Sequence, residues 1–356
     1  MRIAQVSPLK ERVPPFTYGG IELVVSLLTD ELVRRGHKVT LFASGDSQTL
    51  AELQSVYPRA LRLDPNIQAF DAYELLELSQ VYEQAKDFDI IHSHMGYMAL
   101  PLANLVKTPT VHTLHFLAPD SYPLFSYYCK QSYISISQAQ RDPALKLNYV
   151  RTVYNGINPD DYPFQAQPQV PPYLAFVGRM SPEKGPHHAI KIAKQTGWPL
   201  KMAGKVDVVD RKFFEQEIAP QIDGKQIEYL GEVDHAMKAA LLGNAAVTLF
   251  PITWHEPFGL VMIESMCTGT PVVGIRLGSV PEVIAHGKSG FICQSVEEIA
   301  SSIPAALELN RQVCRDHVLK NFSVTQMVDG YEAVYGEVTA GASSRQSSIC
   351  SPVPLN

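Results

Sequence analysis

Short apolar runs alternate along the chain with longer stretches of helical periodicity. Arg2–Val6 is typical of a strand, apolar positions three and four residues apart predict a helix from about Ile21 to Arg35, and Val39–Ala43 is typical of the next strand. Gly36 suits the end of that helix. The pattern predicts a βαβ start with parallel strands.

The same alternation continues and defines two halves. The first half has further strand-like runs at Ile90–His92, Thr110–His115, Tyr133–Ser137 and Val150–Val153. The second has Tyr173–Val177, Leu200–Ala203, Ile227–Leu230, Val247–Phe250, Val272–Gly274 and Phe291–Cys293. A stretch rich in Pro, Gln and Asp at 155–172 separates them. The predicted fold class is α/β, with two Rossmann-like domains at 1–160 and 170–320 facing a central cleft.

The C-terminal part predicts one more helix and a tail. Residues 324–338 have helical periodicity, and we expect this helix to pack back on the first domain. Residues 340–356 are rich in Ser, Gly and Pro, which predicts a disordered tail.

Composition narrows the class of protein. With 356 residues and 46% apolar content, the chain is long enough for two globular domains. A net charge of -6 without a basic stripe argues against a nucleic-acid partner. No signal peptide is evident, and no apolar run approaches the roughly 20 residues of a membrane span. We therefore expect a cytoplasmic protein, with peripheral membrane contact left open.

Two glutamates stand out in the run PITWHEPFGLVMIE, residues 251–264. Glu256 follows the strand-like run 246–250, and Pro257 can start a helix in which Gly259–Cys267 carries Glu264. Ligands bind at the carboxyl ends of strands in open α/β sheets. The run therefore indicates a ligand site, against the simpler interpretation of a surface acid and a partly buried helix acid.

Two glycine-rich segments suggest phosphate binding. In YGGIE, Gly19 and Gly20 precede a helix, where backbone N–H groups and the helix dipole favour an anion. In FVGRMSPEKG, Arg179 and Lys184 follow a strand, where cations suit a diphosphate leaving group. The alternatives are an ordinary turn and exposed loop charges.

Histidines and aspartates supply weaker signals. TVHTLH ends with His115, which lies nearer the loop than His112 and can position or polarise a substrate, unless it is an ordinary core histidine. Asp87 and Asp89 spell a D-x-D sequence, but they precede a strand, at the end away from the predicted cleft. The pairs at 92–94 and 112–115 lack an acid or cysteine at ligand spacing, so no metal site is predicted.

Taken together, these motifs resemble those of the retaining glycosyltransferases of family 4, which have the GT-B fold. The matching segments, in the family's order, are YGGIE, NGI at 155–157, FVGRMSPEKG, YLGEV at 229–233, HEPFGLVMIE, GTPVVG, PEVI and GKSGF. The resemblance implies sugar transfer from a nucleotide-sugar donor with retention of configuration, without a metal or other cofactor. One departure is Ser279, where the family often has glycine; we expect no effect on catalysis.

The resemblance also implies roles for single residues. Arg179, Lys184 and the backbone at Gly20 would hold the diphosphate, and Glu264 the ribose hydroxyls. Glu256 and His115 would lie beside the transferred sugar. The remaining donor contacts would be the amides of Phe258, Gly259 and Leu260 by the distal phosphate, and Gly231 to Val233 by the base.

The function implied is transfer from a UDP-, GDP- or ADP-sugar to a hydroxyl of a small molecule, glycan or lipid. Two alternatives stay open: a nucleotide-sugar 2-epimerase of the same fold, and a nucleotide-sugar-binding protein without catalysis. An oxidoreductase is disfavoured, because no G-x-G-x-x-G follows the first strand.

Overall fold

A computed structural model gives the fold and describes residues 1–17 and 19–341. The described residues divide into two compact units. Unit 1 contains the N-terminal residues to Gly156 and returns at Val324, and unit 2 is Ile157–Ser323. The Pro- and Gln-rich stretch, from Ile157 on, therefore lies in unit 2.

Unit 1 is built on a parallel sheet. Its described strands are β1 (Arg2–Val6), β2 (Lys38–Phe42), β3 (Glu52–Gln54), β4 (Ile90–Ser93), β5 (Thr110–Leu114), β6 (Ser132–Ser135) and β7 (Tyr149–Thr152). Their order is β3-β2-β1-β4-β5-β6-β7. All residues of β4 and β5 are buried, as expected for strands covered on both faces.

Helices connect most of the successive strands, whereas loops join β2 to β3 and β6 to β7. They are α1 (Gly20–Arg34), α2 (Phe70–Glu83), α3 (Leu100–Ala103) and α4 (Tyr122–Tyr127). The helix α1 buries Val24, Val25, Leu28 and Leu32, spaced three and four residues apart around one face. The helix predicted from the 3.6-residue period is therefore present and connects β1 to β2.

Unit 2 repeats the design. Its described strands are β8 (Leu174–Val177), β9 (Leu200–Ala203), β10 (Ile227–Tyr229), β11 (Val247–Phe250), β12 (Val272–Ile275) and β13 (Gly290–Cys293), in the order β10-β9-β8-β11-β12-β13. Every pairing among them is parallel. Relabelled from the first strand, this is the 3-2-1-4-5-6 order of a Rossmann fold.

The helices of unit 2 follow the same rule. They are α5 (Pro186–Thr196), α6 (Arg211–Phe213), α7 (His235–Asn244), α8 (Leu260–Cys267), α9 (Val280–Val283), α10 (Val296–Leu307) and α11 (Arg311–Asn321). Leu174, Phe176, Ile190, Leu200 and Val247 are among the buried side chains of its main core. This core fixes the strands whose ends carry the predicted site residues.

The last helix, α12 (Val324–Gly341), belongs to unit 1. It packs against α1, where Arg35 Nη1 lies 2.7 Å from Asp329 and 2.6 Å from Glu332. Residues 340 and 341 are helical, so the predicted tail begins too early, because the helix simply continues past Val338. The rest of that tail, residues 342–356, lies outside the described residues.

The sequence placed most element ends within a few residues, with one difference that matters for the site. The predicted start of α8 at Pro257 is wrong: Gly259, at φ 78°, is the N-cap and Leu260 the first helical residue. A left-handed glycine at this point interrupts helical dihedrals, so Glu256 to Phe258 remain a loop.

No helix within the described residues is both long and apolar enough to cross a membrane.

Candidate functional site

The strand order marks where a ligand site is expected in each unit. The order reverses between β1 and β4 in unit 1 and between β8 and β11 in unit 2. In open α/β sheets, ligands bind beyond the carboxyl ends of the strands at such a reversal. The segments after β8 and β11 carry Arg179, Lys184 and Glu256, and those after β4 and β5 carry His94 and His115.

Lys184 and Glu256 form an ion pair in unit 2. Lys184 Nζ donates to Glu256 Oε2, and Trp254 Nε1 donates to the same oxygen at 2.9 Å. The Lys184 ammonium also lies 4.8 Å from the centre of the Trp254 ring. The fold thus brings together two residues that are 72 positions apart in the sequence. The other carboxylate oxygen, Glu256 Oε1, has no partner among the described residues.

Arg179 lies among acids. Its guanidinium is 2.5 Å from Glu183, 3.5 Å from Asp207 and 3.8 Å from Asp210. The sequence suggested a diphosphate-binding cation, with an exposed loop charge as the alternative. The structure shows a partly buried arginine whose charge is offset by three carboxylates. An anion bound there would share the guanidinium with these acids.

Glu264 is almost fully buried in α8, at 2% exposure. Its Oε1 accepts hydrogen bonds from the Tyr162 hydroxyl at 2.9 Å and from Lys238 Nζ at 2.6 Å. Burial and the nearby Glu264 charge raise the pKa of Tyr162 well above its ordinary value, so the phenol stays a donor. Glu264 Oε2 has no partner among the described residues.

Sequence reasoning missed three of these residues. Trp254 stood inside the inspected run without a role, Tyr162 lay in the supposed linker, and Lys238 lay in α7 without a motif. The only local signal was Tyr162 as an aromatic in a polar stretch. Its burial, at 1% exposure, required tertiary contacts.

The turn that follows β12 supports the loop before α8. The Ser279 backbone N–H donates to the Glu256 carbonyl at 2.9 Å, and Ser279 Oγ donates to the Phe258 carbonyl at 2.6 Å. A Cβ at Gly278, which has φ 53°, would overlap the Glu256 backbone. Ser279 therefore has a structural role that the sequence interpretation did not foresee.

Two residues predicted to contact the donor, Phe258 and Val233, have buried side chains. The side chain of Phe258 is buried and packs near Phe322, with ring centres 6.0 Å apart. The side chain of Val233 joins a core cluster with Tyr173 and Leu242. Gly231, at φ 73°, turns the chain after β10 and is partly exposed. At Phe258 and Val233 the side chains are therefore packed inside unit 2, and only their peptide groups remain as candidate ligand contacts.

In unit 1, Gly19 is the N-cap of α1, at φ 150°, and Gly20 is the first residue of the helix and exposed. A Cβ at Gly19 would lie 2.9 Å from Glu22 Oε2 and 2.7 Å from Pro15. Burial raises the pKa of Glu22 to about 7. The backbone at the start of α1 is thus exposed at Gly20, and the Glu22 carboxyl group beside it has a raised pKa.

His115 is the residue immediately after β5 and is partly exposed, whereas His112 is buried within the strand. His115 Nε2 lies 2.9 Å from His94 Nδ1. Burial lowers the pKa of His115 to about 4. His115 is therefore a neutral imidazole at pH 7, hydrogen-bonded to the buried His94.

The segments considered for metal binding have other partners. Asp89 accepts from the Arg2 backbone N–H at 2.8 Å and from Arg2 Nη2 at 2.7 Å, contacts that lower its pKa. His92 is hydrogen-bonded to Tyr335 and Thr113. Within the described part of the chain, no group of three or more His, Cys, Asp or Glu side chains is arranged to hold a metal.

Comparisons with known proteins show what the chain is similar to. Residues 160–318 match the family model Glycosyl transferases group 1, and residues 18–161 match Glycosyltransferase Family 4. The chain is 26% identical to glycogen synthase of Mycobacterium tuberculosis, covering 69% of this chain and 68% of that protein. It is 26% identical to N-acetyl-alpha-D-glucosaminyl L-malate synthase of Bacillus anthracis, over 90% of this chain and 94% of that one.

A solved structure has the same fold. HepE of Anabaena, in complex with UDP and glucose, matches with a TM-score of 0.70 at 18% identity, covering 95% of this chain and all of that one. The chain has the GT-B fold and belongs to the group 1, family 4 glycosyltransferases. It is therefore an enzyme that transfers a sugar.

Proposed function

We propose that this glycosyltransferase moves a sugar from a nucleoside-diphosphate donor to an acceptor hydroxyl, with retention of anomeric configuration and without a metal. The observation that carries the proposal is the cluster of Lys184, Glu256 and Trp254 after β8 and β11, at the strand reversal of unit 2. A cation held there by a buried acid is placed to offset charge on a phosphate.

The donor contacts follow from the groups left open. Lys184 and Arg179 are proposed to bind the diphosphate, with the first N–H groups of α8 at Gly259 and Leu260 adding donors. Glu264 accepts the ribose hydroxyls at Oε2, because its Oε1 is already occupied. The peptide groups near Gly231 lie against the base.

In the transfer step, the bond between the anomeric carbon and the diphosphate oxygen breaks. The bond between that carbon and the acceptor oxygen forms on the same face of the sugar. The acceptor's proton passes to the departing phosphate, so the products are the glycoside and a nucleoside diphosphate. Charge stabilisation by Lys184 and Arg179 then matters more than a protein nucleophile.

Unit 1 has candidate ligand contacts of its own. Gly19 and Gly20 leave the start of α1 open at its backbone, where N–H groups favour an anionic group of the substrate. His115, neutral and partly exposed, is proposed to bind a sugar hydroxyl. In unit 2, Glu256 Oε1 is proposed as an acceptor for a hydroxyl of the donor.

Two of the related proteins support the substrate class. HepE was crystallised with UDP and glucose, and the Bacillus anthracis relative is named for joining a glucosaminyl group to malate. The first supports a nucleoside-diphosphate donor, and the second supports a hydroxyl-bearing acceptor.

A donor screen tests the proposal. The purified protein is incubated with UDP-, GDP- and ADP-sugars, with and without hydroxyl acceptors, and the free nucleoside diphosphate is measured. We expect one donor to react, faster with an acceptor, and a product whose anomeric configuration equals that of the donor by NMR. An inverted product contradicts retention, release of an epimerised sugar without acceptor indicates a 2-epimerase, and binding without turnover indicates a silent binding protein.

Metal independence is tested in the same assay. Lys184, Arg179 and the start of α8 supply positive potential without an ion, so excess EDTA should leave the rate unchanged. Loss of activity on chelation, with recovery on adding manganese or magnesium, would falsify this part of the proposal.

A further inference from the structure

A chain of buried polar side chains runs through unit 1 from His115 to the last helix. It joins β1, the ends of β4 and β5, and α12. Its members are Gln5, His92, His94, Thr113, His115, Tyr331 and Tyr335. All except the partly exposed His115 are buried, at 3% exposure or less. Such a row is expensive in a core unless every member is hydrogen-bonded.

The orientation of the Gln5 amide gives the chain a direction. Gln5 Nε2 donates to the Tyr335 hydroxyl at 2.9 Å, while Gln5 Oε1, which can only accept, lies 3.3 Å from His94 Nε2. His94 therefore carries its proton on Nε2. Tyr335, already accepting from Gln5, donates onward to His92 Nδ1 at 2.7 Å.

Both buried histidines must be neutral for this order to hold. Burial lowers the pKa of His92 and of His94 well below the ordinary histidine value. A neutral His94 with its proton on Nε2 has a bare Nδ1, so the 2.9 Å contact with His115 is donated by His115 Nε2–H. His115 is then left with an unprotonated Nδ1.

We propose that Gln5, His94 and Tyr335 are positioning residues that hold His115 as its Nε2–H tautomer, so that Nδ1 accepts a hydrogen bond from a sugar hydroxyl. No described residue bonds Nδ1, and the ring is partly exposed. The sugar contact rests on the proposed function, whereas the tautomer does not. His115 thus selects a ligand hydroxyl and cannot act as a proton donor at that nitrogen.

The opposite polarity is the competing arrangement. Turning the Gln5 amide over would reverse each bond and place the proton of His115 on Nδ1, giving a donor to the substrate. In the structure the Tyr335 hydroxyl receives Gln5 Nε2–H and donates to His92, whereas in the reversed arrangement it would donate to Gln5 and accept from His92. The tautomer of His115 therefore reports the polarity of the whole chain.

Nitrogen-15 NMR of the labelled full chain at pH 7 determines the tautomer of His115 directly. Long-range proton–nitrogen correlations separate protonated from bare ring nitrogens, and the His115→Asn spectrum assigns the signals. We expect His115 to show a protonated Nε2 and a bare Nδ1. A protonated Nδ1 in the wild-type protein overturns the proposal.

Two matched variants test the positioning role. Tyr335→Phe and Tyr331→Phe each remove one buried hydroxyl from α12, but only Tyr335 contacts Gln5. Tyr335→Phe should shift His115 toward the other tautomer, because the amide is free to turn, and Tyr331→Phe should keep the wild-type signals. Equal effects of the two variants, or no effect of Tyr335→Phe, contradict the positioning role.

The kinetic arm uses the donor found to react. Tyr335→Phe should lower kcat/KM by about tenfold, the worth of one hydrogen bond, while Tyr331→Phe should stay within about twofold of wild type. If the wild-type protein transfers no sugar, the proposed function fails, but the NMR result stands by itself. If it transfers sugar and both variants match wild type, the proposal fails and the function remains.

Discussion

Each of the two predicted diphosphate-binding cations has acidic partners in this structure. Lys184 is paired with Glu256, and Arg179 lies among Glu183, Asp207 and Asp210. Such pairs fix the position of a long side chain, which loses less entropy when it then binds a phosphate. We therefore expect phosphate binding by Lys184 and Arg179 to depend on the fixed position of each side chain as well as on its charge.

For Lys184→Ala, we expect kcat at saturating donor to fall by about a hundredfold or more, as when one stabilising donor is removed from a developing anion. The matched control is Lys191→Ala, which also breaks a Lys–Glu pair in unit 2 but on the exposed face of α5. Similar turnover in both variants would place Lys184 outside the chemical step.

Glu264→Gln tests the ribose contact. The glutamine oxygen still accepts from Tyr162 and Lys238, so its neutral NH2 group faces the ribose in place of a charged acceptor, which should weaken nucleoside-diphosphate binding by about 1 to 2 kcal/mol. Calorimetry measures this loss, with Glu297→Gln on the exposed surface as the control. An unchanged affinity would assign Glu264 to packing alone.

At the scale of elements, the position of Glu256 depends on the turn after β12. Gly278 packs directly under the Glu256 backbone, and Ser279 holds the carbonyls of Glu256 and Phe258. The loop before α8 is therefore supported by an adjacent strand's turn. The turn after β12 therefore fixes the backbone at Glu256 and Phe258.

Gly278→Ala and Gly287→Ala separate this support from backbone strain. Both glycines have positive φ, at 53° and 72°, so backbone strain alone should cost each variant about 1 kcal/mol of stability, and the overlap at Gly278 should add to this cost. Only at Gly278 would the new Cβ overlap the Glu256 backbone, whereas Gly287 has open space. We expect kcat to fall in Gly278→Ala alone, measured beside thermal unfolding; an equal kcat in both contradicts the support.

For the whole molecule, burial of ionisable groups makes stability depend on pH. The pKa of Glu22 is raised to about 7 by burial at the start of α1. Between pH 4.5 and 7 the folded state therefore keeps a proton that the unfolded state releases, so stability falls as pH rises through this window.

Glu22→Gln removes that titration. Relative to wild type, the variant should gain stability between pH 5 and pH 8, up to about 3 kcal/mol for a shift of this size. Thermal unfolding of both proteins at the two pH values measures the change in their difference. A difference that is the same at pH 5 and pH 8 would show that Glu22 ionises normally in the folded protein.

The sequence alone determined the repeated strand–helix alternation, the two Rossmann-like units and the family. These are local properties: apolar runs, helical periods and glycines at turns leave a signal wherever they occur. The motifs also placed Lys184, Glu256, Glu264 and His115 at or near the ends of strands and in the following helix, where the structure has them. The sequence did not give the exact start of α8. Pro257 suggested an earlier start, but Gly259 has a left-handed conformation and the helix begins after it.

Only the tertiary structure decided how these residues are partnered. Tyr162 reaches Glu264 across 102 positions, Lys184 reaches Glu256 across 72, and Tyr335 reaches Gln5 across 330. Contacts between distant residues have no period and no fixed spacing, so no pattern in one sequence reveals them. They form because parallel strands bring their carboxyl ends to one edge, where buried polar groups must find partners in whichever element packs there.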